Sequence, residues 1–344
     1  MKKNIIVNTG SQKYPVTIGK ISSLKFEDKN ILLITSKNLE HLYLEYVLSI
    51  IKAKSVSVCI IDDGETHKNM QTIDEILESA FKHKLHRNAL MIALGGGVIT
   101  DMVGFASGIF QRGIDFISIP TTLLAMVDAS VGGKCGVNNK YGKNLIGLFH
   151  QPKQVFVDTI FLRTLPEREF LAGVAEIIKI FACFEYALLQ DFNMRDIEFY
   201  IQRSIELKAS VVTQDEKEKH GLRALLNYGH TFGHAIELES EYSEFLHGEA
   251  VSMGIVMANR LSVKLGILSS EISDFIHDLL KRVGLPTQYK IKDIDTFYNA
   301  FFYDKKSLDS KLHFVLLESK EIIKADIHND IDKQILYEVL HEFA

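Results

Sequence analysis

The chain has 344 residues, 47% of them hydrophobic and 24% charged, with a formal net charge of −5. That length suits two domains better than one core, and the slight acidic excess argues against nucleic-acid partners and anionic membrane surfaces. No apolar run approaches the roughly 18 residues of a bilayer span, the N-terminus turns polar too early for a signal peptide, and Cys59, Cys135 and Cys183 are too scattered for a disulfide framework or structural zinc, so a soluble cytoplasmic protein is expected.

The first half alternates short β-branched runs with helical patterns. NILLITS (30–36), SVSVCIID (55–62), ALMIAL (89–94), DFISIP (115–120) and QVFVD (154–158) read as strands, with helices at 39–53 and 69–83. Continuous apolar strands separated by helices predict a Rossmann-like α/β domain, its mostly parallel sheet covered on both faces and binding ligands beyond the carboxyl ends of the strands. At one such end ALMIAL runs into Gly95-Gly96-Gly97 and then Val98-Ile99-Thr100-Asp101. A strand, a glycine turn and a helix start can set bare N–H groups against a phosphate, or simply let helix and strand pack closely. Asp62-Asp63-Gly64-Glu65 and Thr121-Thr122 form further polar loops at the same edge. The Thr pair equally suits a helix N-cap. Residues 127–147 are dense in Gly, Lys and Asn, and read as a long loop in which Asp128, Lys134, Asn138, Lys143 and Asn144 can converge on an anionic, hydroxyl-rich ligand. A merely solvated loop is the alternative, but long ordered loops are usually functional.

Near residue 160 the pattern changes, predicting an α/β domain over 1–160 and a mostly helical domain over 161–344. AGVAEIIKIF places Glu176 and Lys179 three apart in an apolar helix. That spacing is that of a surface ion pair, but a carboxylate in such company needs a cation or a partner. Lys208 sits in a comparable helix, and Lys305 and Lys306 in a late polar loop.

Arg223, Asn227, His230 and His234 follow i, i+4, i+7, i+11 spacing, predicting one helical stripe, and His247 opens the next apolar helix. Each histidine alone could be satisfied by carbonyls or solvent. Together with Glu176, His230 and His247 make a one-carboxylate, two-imidazole set that leaves open positions on a divalent ion such as Zn²⁺. His234 is then free to move protons or hold a phosphate, and the lysines and Arg223 imply an anionic substrate. Metal-assisted alcohol oxidation by a nicotinamide cofactor is the chemistry these residues suggest.

Several blocks, in order, carry a resemblance across nearly the whole chain: GGGVITDMVGF (95–105), IPTTLLAMVDASVGGKCGVN (119–138), TLPERE (164–169), AGVAEIIK (172–179), GLRALLNYGHTFGHAIE (221–237) and LHGEAVSMG (246–254). With them the chain resembles the 3-dehydroquinate synthases, within the sugar phosphate cyclases. The resemblance implies a bound NAD⁺, a Zn²⁺ or Co²⁺ ion and conversion of 3-deoxy-D-arabino-heptulosonate 7-phosphate to 3-dehydroquinate and phosphate in the shikimate pathway. Its steps are transient C5 oxidation, phosphate elimination, reduction, ring opening and intramolecular aldol closure.

Position by position, the resemblance puts the metal on Glu176, His230 and His247. NAD⁺ falls on Asp63, Gly64, Glu65 and Lys68, on Gly96, Gly97, Val98, Thr100 and Asp101, on Thr121 and Thr122, and on Phe161 and Thr164, with Lys134 and Lys143 beside it. Substrate falls on Asp128, Lys134, Lys143, Asn144, Lys179, Lys208, Arg223, Asn227 and His234, with a lysine at 305–306. Arg112 is implied to reach a neighbouring subunit's site, hence a homodimer. Two departures stand out: Thr100 occupies a usual glycine position, where a Cβ bears on loop φ, and Ile180-Phe181 replaces the common Tyr-Gly. Rival readings are another sugar phosphate cyclase, a polyol dehydrogenase that releases NADH, and a non-catalytic sensor or scaffold.

Overall fold

The protein is described by a computed structural model covering residues 2–303, 312–319 and 322–344, so Lys305 and Lys306 lie outside the described residues. The chain divides into two compact units, Met1–Leu165 with Ile201–Lys217, and Pro166–Tyr200 with Glu218–Ala344. This differs from a single boundary at 160.

The first unit opens with strands β1 (Lys3–Asn8), β2 (Lys13–Ile18) and β3 (Leu24–Ser36). Helices α1 (Lys37–Leu39) and α2 (Glu45–Ile50), joined by a wider turn, lead to β4 (Ile51–Ile61). Then follow α3 (Met70–Lys82), β5 (Leu90–Gly95), α4 (Gly97–Ile109) and β6 (Asp115–Pro120). After the hairpin β7 (Lys134–Asn139) and β8 (Gly142–Phe149), β9 (Gln154–Val157) completes a seven-stranded sheet in the order β1-β2-β9-β6-β5-β3-β4. Only the β1–β2 pair in it is antiparallel. β4 lies on one side of β3 and β5 on the other, so the chain reverses direction across the sheet between β3 and β5. In open α/β sheets that switch point is where ligands bind. The core on one face joins Leu32, Ile34, Met91 and Ala93 to Ile73 and Ile76 of α3 and Ile99, Met102 and Val103 of α4, all at 1% exposure or less. Burial of each large aliphatic contributes about 1.5–3 kcal/mol.

The stretch 127–147 is not the expected loop. Cys135 and Val137 of β7 join the core, with Ile146 and Leu148 of β8 packed on it. Gly136 stands opposite Gly147, and a Cβ on either would lie 2.6 or 2.3 Å from the facing carbonyl oxygen. A Cβ on Gly104 of α4 would likewise lie 2.3 Å from Cys135 Sγ. The strand glycines thus let β7 and β8 approach one another, and Gly104 lets α4 receive the Cys135 side chain.

In the second unit α5 (Glu167–Phe184) comes first. Helix α6 (Ile197–Gln214) follows and passes into the first unit at Ile201. Its tether there is polar: Lys208 Nζ donates to Asp128 Oδ1 at 2.6 Å, and just beyond α6 Glu216 accepts from Ser11 and Gln151. The second unit resumes with α7 (His230–Glu239), α8 (His247–Lys264), α9 (Ser270–Arg282), α10 (Ile294–Tyr303), the antiparallel pair β10 (His313–Glu318) and β11 (Lys324–Asn329), and α11 (Lys333–His341). Helix α8, apolar on nearly every side, packs against α5, α7, α9, α11 and β10. Among the described residues no helix is long and apolar enough to cross a membrane.

Candidate functional site

In the second unit, three helices meet at unusually short range because glycines line their contacts. A Cβ on Gly248 of α8 would lie 2.1 Å from Ala172 O of α5, and one on Gly254 would lie 2.1 Å from Gly229 O ahead of α7. Gly229 itself has φ +78° and turns the chain into α7.

This turn corrects the expected stripe. Arg223 and Asn227 occupy a separate 3₁₀ segment, Arg223–Asn227, whose C-cap Tyr228 is extended; only His230 and His234 share α7. Arg223 is buried, whereas Asn227 is exposed and donates to Glu218 Oε1 at 3.2 Å.

The close approach brings Glu176 of α5, His230 at the start of α7 and His247 at the start of α8 together, one ligand atom from each lying within 4.8 Å of the others. Glu176 Oε1 is buried and accepts no hydrogen bond among the described residues. His230 Nε2 lies 3.8 Å and His247 Nε2 3.6 Å from it. The other carboxylate oxygen is 2.5 Å from Lys179 Nζ. His230 Nδ1 faces Tyr228 O at 3.2 Å. Burial, then the nearby Lys179, His247 and His234, holds the His230 pKa well below the usual imidazole value, so the ring is neutral at physiological pH with Nε2 available as a donor. A buried carboxylate oxygen that accepts no hydrogen bond among the described residues, with two imidazole nitrogens within 4 Å of it, fits a divalent cation. His234 lies beside both rings, its centroid 5.4 Å from that of His230 and 6.0 Å from that of His247.

In the first unit, the glycine turn leads into α4 through Gly96, an N-cap with no side chain to occupy the first free N–H groups. Such a start suits an anion. The turn also packs tightly, a Cβ on Gly96 lying 2.9 Å from Thr122 Cγ2 and one on Gly97 3.3 Å from Ala129 Cβ. Thr100 is the fourth residue of α4, is buried and donates to Gly97 O at 3.1 Å. It takes an ordinary helical conformation, so the glycine usual at this position is not needed for φ. Thr121 N–H donates to Gly95 O, and Thr122 Oγ1 caps the next turn by accepting from Ala125 N–H.

Around this turn a polar network ties the expected residues together. Lys68 Nζ donates to Asp101 Oδ2 and Asn144 Oδ1, each at 2.6 Å. Asn144, at φ +55°, gives its N–H to Asn138 Oδ1, and Asn138 Nδ2 donates to Glu65 Oε1 at 2.8 Å. Asp63 is exposed beside Gly64, whose φ is +99°. Lys134, the first residue of β7, is exposed, and Lys143 of β8 is half-buried. The Phe161 ring is buried edge-on against Tyr43, whose hydroxyl meets the exposed Thr164 Oγ1 at 2.7 Å. What Phe161 offers a ligand is therefore backbone. Gln111 and Arg112 both have positive φ, and Arg112 is exposed.

The structure adds two carboxylates to these groups: Glu218, which engages Asn227, and Glu237, whose Oε1 lies 3.3 Å from His247 Nδ1. The signal for Glu237 was its position, seven after His230 and three after His234 on the face of α7 that carries both.

Comparison with known proteins finds relatives along the whole chain. The family models described as 3-dehydroquinate synthase N-terminal and C-terminal match residues 58–172 and 173–307. A 3-dehydroquinate synthase from Helicobacter hepaticus is 53% identical over 352 aligned positions, covering 100% of this chain and 99% of the relative. Among solved structures, a 2-deoxy-scyllo-inosose synthase complexed with carbaglucose-6-phosphate, NAD⁺ and Co²⁺ superposes with a TM-score of 0.86 at 26% identity, over 99% of this chain and 100% of that one. A 2-epi-5-epi-valiolone synthase from Streptomyces hygroscopicus with NAD⁺ and Zn²⁺ bound gives 0.84 at 25% identity, over 96% of each. Two matched models in tandem and a full-length relative at this identity leave one conclusion: the chain belongs to the 3-dehydroquinate synthase family.

Proposed function

We propose that Glu176, His230 and His247 hold the catalytic divalent cation of a 3-dehydroquinate synthase. The chain is an enzyme, a phosphate-eliminating carbon–oxygen lyase that forms 3-dehydroquinate from 3-deoxy-D-arabino-heptulosonate 7-phosphate with NAD and one divalent metal, Zn²⁺ or Co²⁺. The observation that carries the metal assignment is the buried Glu176 Oε1 without a hydrogen-bond donor, flanked by two imidazole Nε2 atoms.

When bound, NAD⁺ supplies the transient oxidation at C5 and its reversal, and the cation polarises the C5 hydroxyl. The residues do the rest by charge and position. Lys179, held against Glu176, sets a positive charge beside the carboxylate ligand. Lys208, held by Asp128, together with Lys134, Lys143, Asn144, Arg223 and Asn227 binds the anionic substrate and stabilises the departing phosphate. A C5 ketone acidifies the C6 proton, and the departing phosphate can accept it. His234 beside the metal ligands is the group placed to move a proton at Nε2 or Nδ1. Holding the opened product in place accelerates ring closure by orientation. The first unit supplies the dinucleotide site at Asp63–Lys68, Gly96–Asp101, Thr121-Thr122 and Phe161–Thr164, its anion-binding feature the uncapped start of α4. We further read the enzyme as a cytoplasmic homodimer in which Arg112 reaches the neighbouring site.

Purified enzyme given the heptulosonate phosphate, catalytic NAD⁺ and Zn²⁺ or Co²⁺ is expected to release one phosphate per dehydroquinate with no net NADH. Stoichiometric NADH would identify a dehydrogenase instead. Comparable turnover of a heptose 7-phosphate lacking the carboxylate would identify a different cyclase.

A further inference from the structure

We infer that Glu237 is a positioning residue for the metal ligand His247, its carboxylate fixing the ring so that Nε2 is delivered to the cation. The inference rests on the metal reading above and extends it to a residue outside the ligand set. Glu237 is 1% exposed, on the inner face of α7 one turn beyond His234. Its Oε1 lies 3.3 Å from His247 Nδ1, while the opposite ring nitrogen, Nε2, lies 3.6 Å from Glu176 Oε1. One imidazole therefore sits between two buried carboxylates. A neutral imidazole has one N–H and one lone pair. With Nδ1–H directed at Glu237, the lone pair is on Nε2, facing the ligand carboxylate. His230 is arranged the same way, Nδ1 toward Tyr228 O and Nε2 toward Glu176. Both rings thus have an acceptor behind them and a shared focus in front, but the acceptors differ: a backbone carbonyl for His230 and a carboxylate for His247. The carboxylate also raises the basicity of the ring it holds.

The ring of His247 needs this more than that of His230. Its side chain is 34% exposed against 12% for His230, so surrounding packing restrains it less. A rival use of the same atoms is a second cation bound by His234, Glu237 and His247, whose ligand atoms also lie within 4.8 Å of one another. That would make His247 a bridge and displace its Nδ1 proton.

The test is competition titration of metal-free full-length protein with Zn²⁺ against a chelator, with bound metal counted per chain, and the visible d–d spectrum after Co²⁺ loading. The variants are Glu237→Ala, the near-isosteric Glu237→Gln and His247→Ala. Wild type is expected to bind one ion. Glu237→Ala should weaken binding by roughly 10–100-fold, the usual cost of losing an outer partner of a ligand, and shift the Co²⁺ bands. Glu237→Gln, whose amide oxygen still accepts from Nδ1, should recover part of the affinity, which a purely structural role would not predict once both variants are shown folded by circular dichroism. Within about twofold of wild-type affinity in Glu237→Ala, with His247→Ala severely weakened, overturns the inference and leaves the metal reading standing. Two ions in wild type and one in Glu237→Ala overturns it in favour of the second cation. No ion in wild type, or undiminished binding in His247→Ala, brings down the metal reading and this inference with it.

Discussion

Lys179 Nζ lies 2.5 Å from Glu176 Oε2, with the two side chains only 2% and 1% exposed. Three residues apart on α5, they face the same side of the helix, and the second oxygen of Glu176 points at His230 and His247. One buried carboxylate thus answers to an ammonium on one side and, in our reading, to a metal ion on the other. Removing the two partners should have separable effects. Lys179→Met strips one compensating charge and is expected to destabilise the metal-free protein by about 3–5 kcal/mol, the cost of orphaning a buried charge. It should still bind Zn²⁺, and saturating metal should restore much of the loss, about 2.7 kcal/mol at a hundred times Kd. Glu176→Ala breaks the same buried pair but should differ in the metal, losing affinity by more than the roughly 10–100-fold of an outer-shell change and losing activity with it. Urea unfolding with and without Zn²⁺ and metal content by atomic absorption check both.

Within the first unit, Lys208 Nζ donates to both Oδ1 and the backbone carbonyl of Asp128, each at 2.6 Å. Lys208 is 7% and Asp128 26% exposed at the side chain, so solvent screens the pair in part. Lys208→Met alone is expected to cost about 2–3 kcal/mol, below the fully buried range. Asp128→Asn in the same background should cost little more, because the stranded charge is gone. A double-mutant cycle by urea unfolding measures the coupling. A coupling energy near zero would mean that the tether of α6 is apolar packing alone.

The helix approach that gathers the proposed ligands gives a third expectation. A Cβ at Gly254 would meet Gly229 O at 2.1 Å and Gly233 N at 2.7 Å. Those are backbone atoms and cannot rotate away, so α7 or α8 must shift. Gly254→Ala is expected to cost at least the ~1–3 kcal/mol of ordinary overpacking and to weaken Zn²⁺ binding, since His230 and His247 lie on the displaced helices. Gly266→Ala is the control. Its φ is +69° but open space surrounds its Cβ, so about 1–2 kcal/mol of backbone strain should leave metal affinity unchanged.

These contacts also show where reading the chain succeeds and where it stops. The central strands were visible because a parallel sheet buried on both faces favours continuous apolar runs, as in β5, β6 and the second half of β3, while the edge strand β4 shows one only over its last residues, 56–61. β7 and β8 were not, since the two strands approach so closely that Gly136 and Gly147 stand where alternation would show a side chain. The break at Gly229 was hidden for a related reason: the i, i+4, i+7, i+11 spacing continues across it although the helix does not. The meeting of Glu176 with His230 and His247 had no local signal beyond residue type. It depends on which helices touch, and that is set by Gly248, Gly233 and Gly254 acting over long sequence separations. Nor could spacing reveal that α6 would be held by Asp128, some 80 positions earlier.

Acid sensitivity should reveal one further tether. Burial pushes the Glu216 carboxyl up, but hydrogen bonds from Ser11, Gln151 and Thr9 outweigh it and bring the pKa below the ordinary glutamate value. Ser11 Oγ donates at 2.6 Å and Gln151 Nε2 at 3.0 Å. A carboxyl whose folded pKa lies below its unfolded value of about 4.3 stabilises the fold at pH above that value. The contribution is lost as pH falls through the folded pKa. Glu216→Gln keeps the shape but removes the charge and places an NH₂ group against two donors. It is expected to cost about 1 kcal/mol at pH 7, a charge-assisted bond discounted for solvent access. The gap from wild type should hold down to about pH 4.3 and then shrink as wild-type Glu216 takes up its own proton. Urea midpoints measured across that interval are the check. A gap independent of pH would assign Glu216 a packing role without electrostatics, and a gap that widens in acid would mean the folded pKa is raised instead.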